Sequence, residues 1–201
     1  MTNRQKIQKL TTLAILTAIV IIFQLLGNFI HIGPASLCLV LIPIAIGAIL
    51  TGPKGGAFLG FVLGAITYFV GGMFGFDPGF TGILFAAQPI ATAVICFGKG
   101  ILAGLCTGLV YRAFEKKNKK LAVFLAAATT PIVNTGVFIL GGLLLVYGTL
   151  SANFVVKGQT VVYFLIIGCA GWNFIAEFIA NIIVAPAINT IVHAVGNKLS
   201  K

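Results

Sequence analysis

Acid is nearly missing from this chain. Its 201 residues include three carboxylates, Asp77, Glu115 and Glu177, and charged residues of both signs make up only 8 %. A soluble domain carries roughly 25 % charged residues to cover its wetted surface, so a soluble globule is excluded. The same shortage leaves an intramembrane hydrolase or phosphotransferase with few parts to work with. Nucleotide-binding signals are absent too. The surroundings of Lys54 (Gly52-Pro53-Lys54-Gly55-Gly56) and of Lys99 (Phe97-Gly98-Lys99-Gly100) do not match G-x-x-x-x-G-K-[ST], so ATP binding by a P-loop is excluded. No H-E-x-x-H occurs, and neither histidine neighbours a plausible nucleophile. Cys38, Cys96, Cys106 and Cys169 fall inside apolar runs without C-x-x-C spacing. They read as buried thiols, with no disulfide, metal or cofactor assigned. No pair of half-length segments in matched positions suggests an inverted-repeat transporter.

Apolar residues are abundant instead. They make up 59 % of the chain, with 25 glycines, 17 phenylalanines and a mean hydropathy of +1.13. This is the composition of an all-α polytopic membrane protein, because backbone polarity forces each span to be helical. A bilayer core of about 30 Å needs roughly 20 apolar residues, and six segments fit: Leu10–Ile30, Leu37–Thr51, Ala57–Met73, Pro89–Phe114, Leu121–Tyr147 and a stretch within Val161–Val195. Leu10–Ile30 is too long for a signal-peptide core and is expected to be the first span. The second segment is short, with Pro43 as an expected kink. Val161–Val195 is too long for one perpendicular helix. It either begins as an outer helix turning near Gly168–Gly171 or tilts and projects from the membrane.

The formal net charge of +10 is explained by topology. Eleven Lys and Arg lie on one side of the spans, in the N-terminal tail, at Lys54, in Arg112–Lys120 and in the C-terminal tail, against Lys157 on the other. The positive-inside rule then puts both termini of a single six-helix domain (residues 1–201) in the cytoplasm. The basic clusters flank apolar runs and lack interleaved aromatics, so no nucleic-acid partner is implied.

Intramembrane polar residues are costly and mark functional sites or helix contacts. Lys99 lies mid-span, about 15 Å beyond Pro89 at 1.5 Å per residue, and Glu177 lies at comparable depth in the last helix. They are expected either to pair permanently or to release one member to a ligand. Asn173, Glu177 and Asn181 recur at i, i+4 and i+8 and share one stripe. Asn134 stands beside Pro131, whose missing N–H frees a carbonyl. Trp172 flanks the stripe, and Gln88 precedes Pro89 at the mouth of the fourth helix. Each asparagine alone could be interhelical glue; together these groups describe an apolar cavity with a few fixed polar contacts, the usual small-molecule site. Phe74, Phe76, Asp77 and Phe80 would be its lid or plain interface aromatics. Small residues recur every four positions: Ala14 and Ala18; Gly56, Gly60 and Gly64; Gly100, Gly104 and Gly108. Such stripes let helices approach closely, within the bundle or against a partner.

The run Ala14-Ile15-Leu16-Thr17-Ala18, the stretch Leu41–Pro53 ending in Leu50-Thr51-Gly52-Pro53, Gly55-Gly56-Ala57-Phe58-Leu59-Gly60, Gly98-Lys99-Gly100 and Pro131–Gly136 together resemble the S components of energy-coupling factor (ECF) transporters. The resemblance covers nearly the whole chain and looks most like the pantothenate branch. It implies a non-enzymatic subunit of the bacterial plasma membrane that binds a vitamin from outside, in a cavity framed by the last three helices and the outer loops. It implies docking on a membrane coupling subunit above two cytoplasmic ATPases, through Ala14 and Ala18, and delivery by toppling of the whole subunit. Where a third alanine would follow, Ile22 stands. A ligand carboxylate with hydroxyl and amide groups would suit Lys99, Asn134, Asn173 and Gln88. Riboflavin, a pyridoxine-like vitamin or folate are alternatives, and a membrane enzyme acting on lipid, or a self-contained channel or exporter, are rivals of another class.

Overall fold

The computed structural model describes the backbone of residues 3–27, 31–32, 35–36, 39–156 and 158–199. The expectations for Cys38, Lys157 and the start of the second segment at Leu37 lie outside the described residues. The regular structure of the described residues is helical apart from a two-residue antiparallel pair, His31–Ile32 with Ala35–Ser36. The helices are α1 (Asn3–Gly27), α2 (Leu41–Thr51), α3 (Pro53–Ile66), α4 (Thr81–Ala87), α5 (Pro89–Phe114), α6 (Lys119–Leu145), α7 (Tyr147–Asn153), α8 (Val161–Tyr163) and α9 (Trp172–Leu199). Two π-helical segments extend this set: Thr67–Met73 continues α3, and Phe164–Gly171 joins α8 to α9.

Five of these helical stretches are long and apolar enough to cross a membrane: Asn3–Gly27, Pro53–Met73, Pro89–Phe114, Lys119–Leu145 and Val161–Ile191. The short apolar α2 is the sixth segment expected from the sequence, 11 residues long. Large apolar side chains turn outward along the spans, with Ile90 81 %, Leu144 79 % and Ile183 70 % exposed. Such a surface suits lipid and not water.

Local sequence sets the boundaries. Pro53 and Pro89 open α3 and α5 at the first turn, where a missing N–H costs nothing. Asn118 caps α6 by accepting from the Leu121 N–H at 3.1 Å. Between α2 and α3 the single residue Gly52 turns the chain with φ 91° and ψ −179°, a conformation open almost only to glycine. Pro131 sits inside α6 and Pro186 inside α9 without ending either helix.

One open alternative is decided, and two expected loops turn out to hold helices. No corner forms at Gly168–Gly171; the helix widens into π geometry and continues into α9. The expected loop Gly148–Gln159 begins with α7, steadied by Asn153 Nδ2 donating to the Thr149 carbonyl at 2.9 Å. Residues after Gly79 form α4, whose first N–H groups are taken up by Asp77.

The glycine stripes of the third and fourth segments face each other. A Cβ on Gly60 would run into the Gly100 carbonyl, one on Gly56 into that of Gly104, and one on Gly64 would lie 2.7 Å from the Cys96 carbonyl. Both stripes therefore serve the α3–α5 crossing, whose backbones touch directly. Around it lie three apolar clusters. Leu16, Val20, Leu41, Ile44, Leu59 and Leu63 join α1, α2 and α3. Ile49, Tyr111, Ala122, Ala126, Ala185 and Ile188 join α2, α5, α6 and α9 near the basic end. Phe80, Leu84, Ile95, Val146, Leu150, Phe164 and Leu165 close the opposite end. Cys96 and Cys169 are buried free thiols, and Cys106 is a half-buried one.

Candidate functional site

Beside the third of these clusters, which lends it Phe80, Leu84 and Ile95, the bundle leaves a cavity. It is lined by Gln24 of α1, Thr67 and Gly71 of the first π segment, Asp77 and Phe80, Thr81 and Leu84 of α4, Thr92, Ile95, Cys96 and Lys99 of α5, Asn134, Thr135 and Phe138 of α6, Cys169 and Ala170 of the second π segment, and Asn173, Phe174 and Glu177 of α9. Helical spacing brings these side chains together. Thr92, Cys96 and Lys99 follow at i, i+4 and i+7, while Asn134 and Phe138, and Asn173 and Glu177, are i, i+4 pairs on one face. Both π segments contribute walls. Such widened turns are frequent at functional sites because they shift side-chain register and loosen backbone pairing.

The polar groups are deeply placed. Asn134 is 6 % exposed, Asn173 5 % and Glu177 4 %. The Asn134 Oδ1 has no hydrogen-bond partner, although buried acceptors are normally paired. Lys99 is half-buried, with its ammonium 5.6 Å from the centroid of the Phe138 ring, within cation–π reach. Asn173 Nδ2 donates to the Cys169 carbonyl at 3.2 Å, a bond within its own helix. Asp77 is 7 % exposed. Its carboxylate accepts from the Phe80 N–H at 3.3 Å, the Thr81 N–H at 3.1 Å and the Thr81 hydroxyl at 2.6 Å. It therefore holds the start of α4 and seats Phe80 over the cavity. Phe80 in turn meets Phe138 at 5.7 Å and Phe154 at 5.1 Å between ring centroids.

Of the residues singled out from sequence, Lys99, Asn134, Asn173 and Glu177 meet in this cavity. Gln88, Trp172 and Asn181 do not line it. Gln88 Nε2 donates to Thr149 Oγ1 at 3.2 Å and ties the start of α5 to α7. Trp172 is 71 % exposed, which suits an interfacial tryptophan. Asn181 is buried one turn beyond Glu177, donating to the Glu177 carbonyl at 2.9 Å. The aromatic lid divides: Asp77 and Phe80 face the cavity, whereas Phe74 and Phe76 are exposed. Ala14 and Ala18 lie on the exposed face of α1, beside Ile15 and Ile22.

Sequence reading missed Gln24 and the threonines. Gln24 interrupts Ile21-Ile22-Phe23 and Leu25-Leu26, a polar residue mid-span that marks it as plainly as Asn134. Thr67 and Thr92 carry no such signal. Their hydroxyls donate to the Leu63 and Gln88 carbonyls one turn back, a bond any membrane threonine makes. Among the described residues, no three His, Cys, Asp or Glu side chains are placed to hold a metal ion.

A family model described as ECF transporter, substrate-specific component, matches residues 8–190. The chain belongs to this family. As an ECF substrate-specific component it is a transport subunit whose family implies a small-molecule substrate and a coupling module, and the match takes in every element of the cavity. No curated protein matches the sequence.

Proposed function

We propose that this S component binds a compact acidic vitamin, pantothenate first among the candidates, in the cavity between α5, α6 and α9. The observation that carries the reading is the meeting of Lys99 and Asn134 with Asn173 and Glu177 in one largely apolar pocket. An ammonium suits a carboxylate, and amides suit hydroxyl and amide groups. The cavity is small, about 80 Å³, against roughly 300–1,000 Å³ for sites holding drug-sized ligands. The subunit is non-enzymatic, spans the cell membrane six times with both termini cytoplasmic, and delivers its ligand through a membrane coupling subunit and two cytoplasmic ATPases. Ala14 and Ala18 form its docking contact, being small, exposed and on one face of α1.

Thermal shift and native mass spectrometry on the purified chain, with a panel of pantothenate, riboflavin, pyridoxine, folate, thiamin and biotin, test the reading. Pantothenate alone should stabilise the protein at micromolar concentration. Stabilisation by riboflavin or pyridoxine without pantothenate would reassign the substrate within the same family.

A further inference from the structure

We infer that Asn134 is the residue by which this cavity demands a hydrogen-bond donor of its ligand. The inference rests on the acidic-vitamin reading and specifies the second contact such a molecule must make. Asn134 lines the cavity, is 6 % exposed, and keeps its Oδ1 without a partner. A buried carbonyl oxygen left unpaired carries a desolvation penalty, which a hydrogen bond from an entering molecule removes. The oxygen accepts and cannot donate, so the matching ligand atom is an O–H or N–H. Asn134 shares a face of α6 with Phe138, the ring that the Lys99 ammonium approaches. The two stand one helical turn apart, and side chains so related lie roughly 5–6 Å apart at Cβ. The cavity thus reads two points, an anionic group at Lys99 and a donor at Asn134.

An acceptor kept for ligand and one kept for structure respond oppositely to removal. Asn134→Leu preserves most of the side-chain volume and deletes the unpaired oxygen. In the ligand-free protein it should leave the melting temperature unchanged or raise it. A fall of several degrees would make Asn134 a structural group and overturn the inference. Asn134→Ala, which cannot overpack the site, repeats the binding measurements should the leucine variant fail to fold.

The binding arm uses calorimetry with three probes: pantothenate, its analogue lacking both hydroxyls, and its analogue with the amide nitrogen methylated. Wild type should bind one of the two donor-deleted analogues about 10- to 100-fold more weakly than pantothenate, the scale of one unpaired buried group. In Asn134→Leu that preference should collapse to less than about threefold. Equal preference in wild type and variant, or no preference in wild type, overturns the inference while leaving the substrate reading intact. Failure of wild type to bind pantothenate at all overturns the substrate reading, and this inference with it.

Discussion

Gly60 of α3 and Gly100 of α5 lie backbone against backbone, each occupying the space that a Cβ on the other would need. The contact sits at the middle of a series running from Gly56 opposite Gly104 to Gly64 opposite Cys96, so the crossing has no side chain able to move aside. Gly60→Ala and Gly100→Ala should each destabilise the protein by about 1–3 kcal/mol, the cost of overpacking a close contact. Gly136, also within a helix, has nothing within 4 Å of its would-be Cβ. Gly136→Ala should be neutral or stabilising by up to about 1 kcal/mol, because alanine is the better helix former. Melting temperatures in one detergent check the contrast, and equal losses at all three positions would rule out a special α3–α5 contact.

Asp77 accounts for the N–H groups of Phe80 and Thr81 and for the Thr81 hydroxyl. Asp77→Ala should cost about 0.5–2 kcal/mol, the range for losing a capping side chain. It should also release Phe80 from its place over the cavity, so that the dissociation rate of a bound vitamin rises more than its association rate falls. Asp77→Asn, which keeps an acceptor, should recover part of the stability. Stopped-flow binding with the three proteins checks the order wild type, Asp77→Asn, Asp77→Ala.

The sequence was most informative where one physical demand dominates. Long apolar runs mark helices because lipid offers the backbone no partner, and Pro89–Phe114 keeps the bounds expected from sequence. Lys99, Asn134, Asn173 and Glu177 were legible because polar groups in mid-span stand out against apolar neighbours. Asn181 met the same criterion and still falls outside the cavity, since periodicity gives the face of a helix but not how far along it the cavity extends. Gln88 and Trp172 sit at segment ends, where polarity and aromaticity serve the interface as readily as a ligand. The π segments at Thr67–Met73 and Phe164–Gly171 left no pattern in the residues. One extra residue in a turn is a tertiary compromise and follows no propensity.

The exposed face of α1 carries Ala14 and Ala18 with larger apolar neighbours such as Ile15 and Ile22. If this face docks on the coupling subunit, Ala14→Leu and Ala18→Leu should prevent close helix approach by bulk. Uptake by the assembled transporter should fall at least tenfold, about 1.4 kcal/mol of lost association, while vitamin affinity of the isolated subunit holds. Undiminished uptake with both variants would move the docking face elsewhere on the bundle.

Lys99 and Glu177 share one cavity with Phe138 beneath the ammonium, and two substitutions separate their roles. If Lys99 receives the ligand carboxylate, Lys99→Met should weaken pantothenate by about 2–5 kcal/mol, the cost of truncating one side of a buried charge pair. Pantothenol, which replaces the carboxylate by an alcohol, should then bind wild type and Lys99→Met with similar affinity. If Lys99 instead answers Glu177, Lys99→Met strands a buried carboxylate. The loss then appears as a lower melting temperature without ligand, and Glu177→Gln in the same chain restores it. Acid and alcohol ligands against wild type, Lys99→Met and the double variant complete the measurement. We expect discrimination between acid and alcohol to vanish in both variants, with the melting temperature of Lys99→Met close to wild type. Retained discrimination in Lys99→Met would remove Lys99 from the binding site.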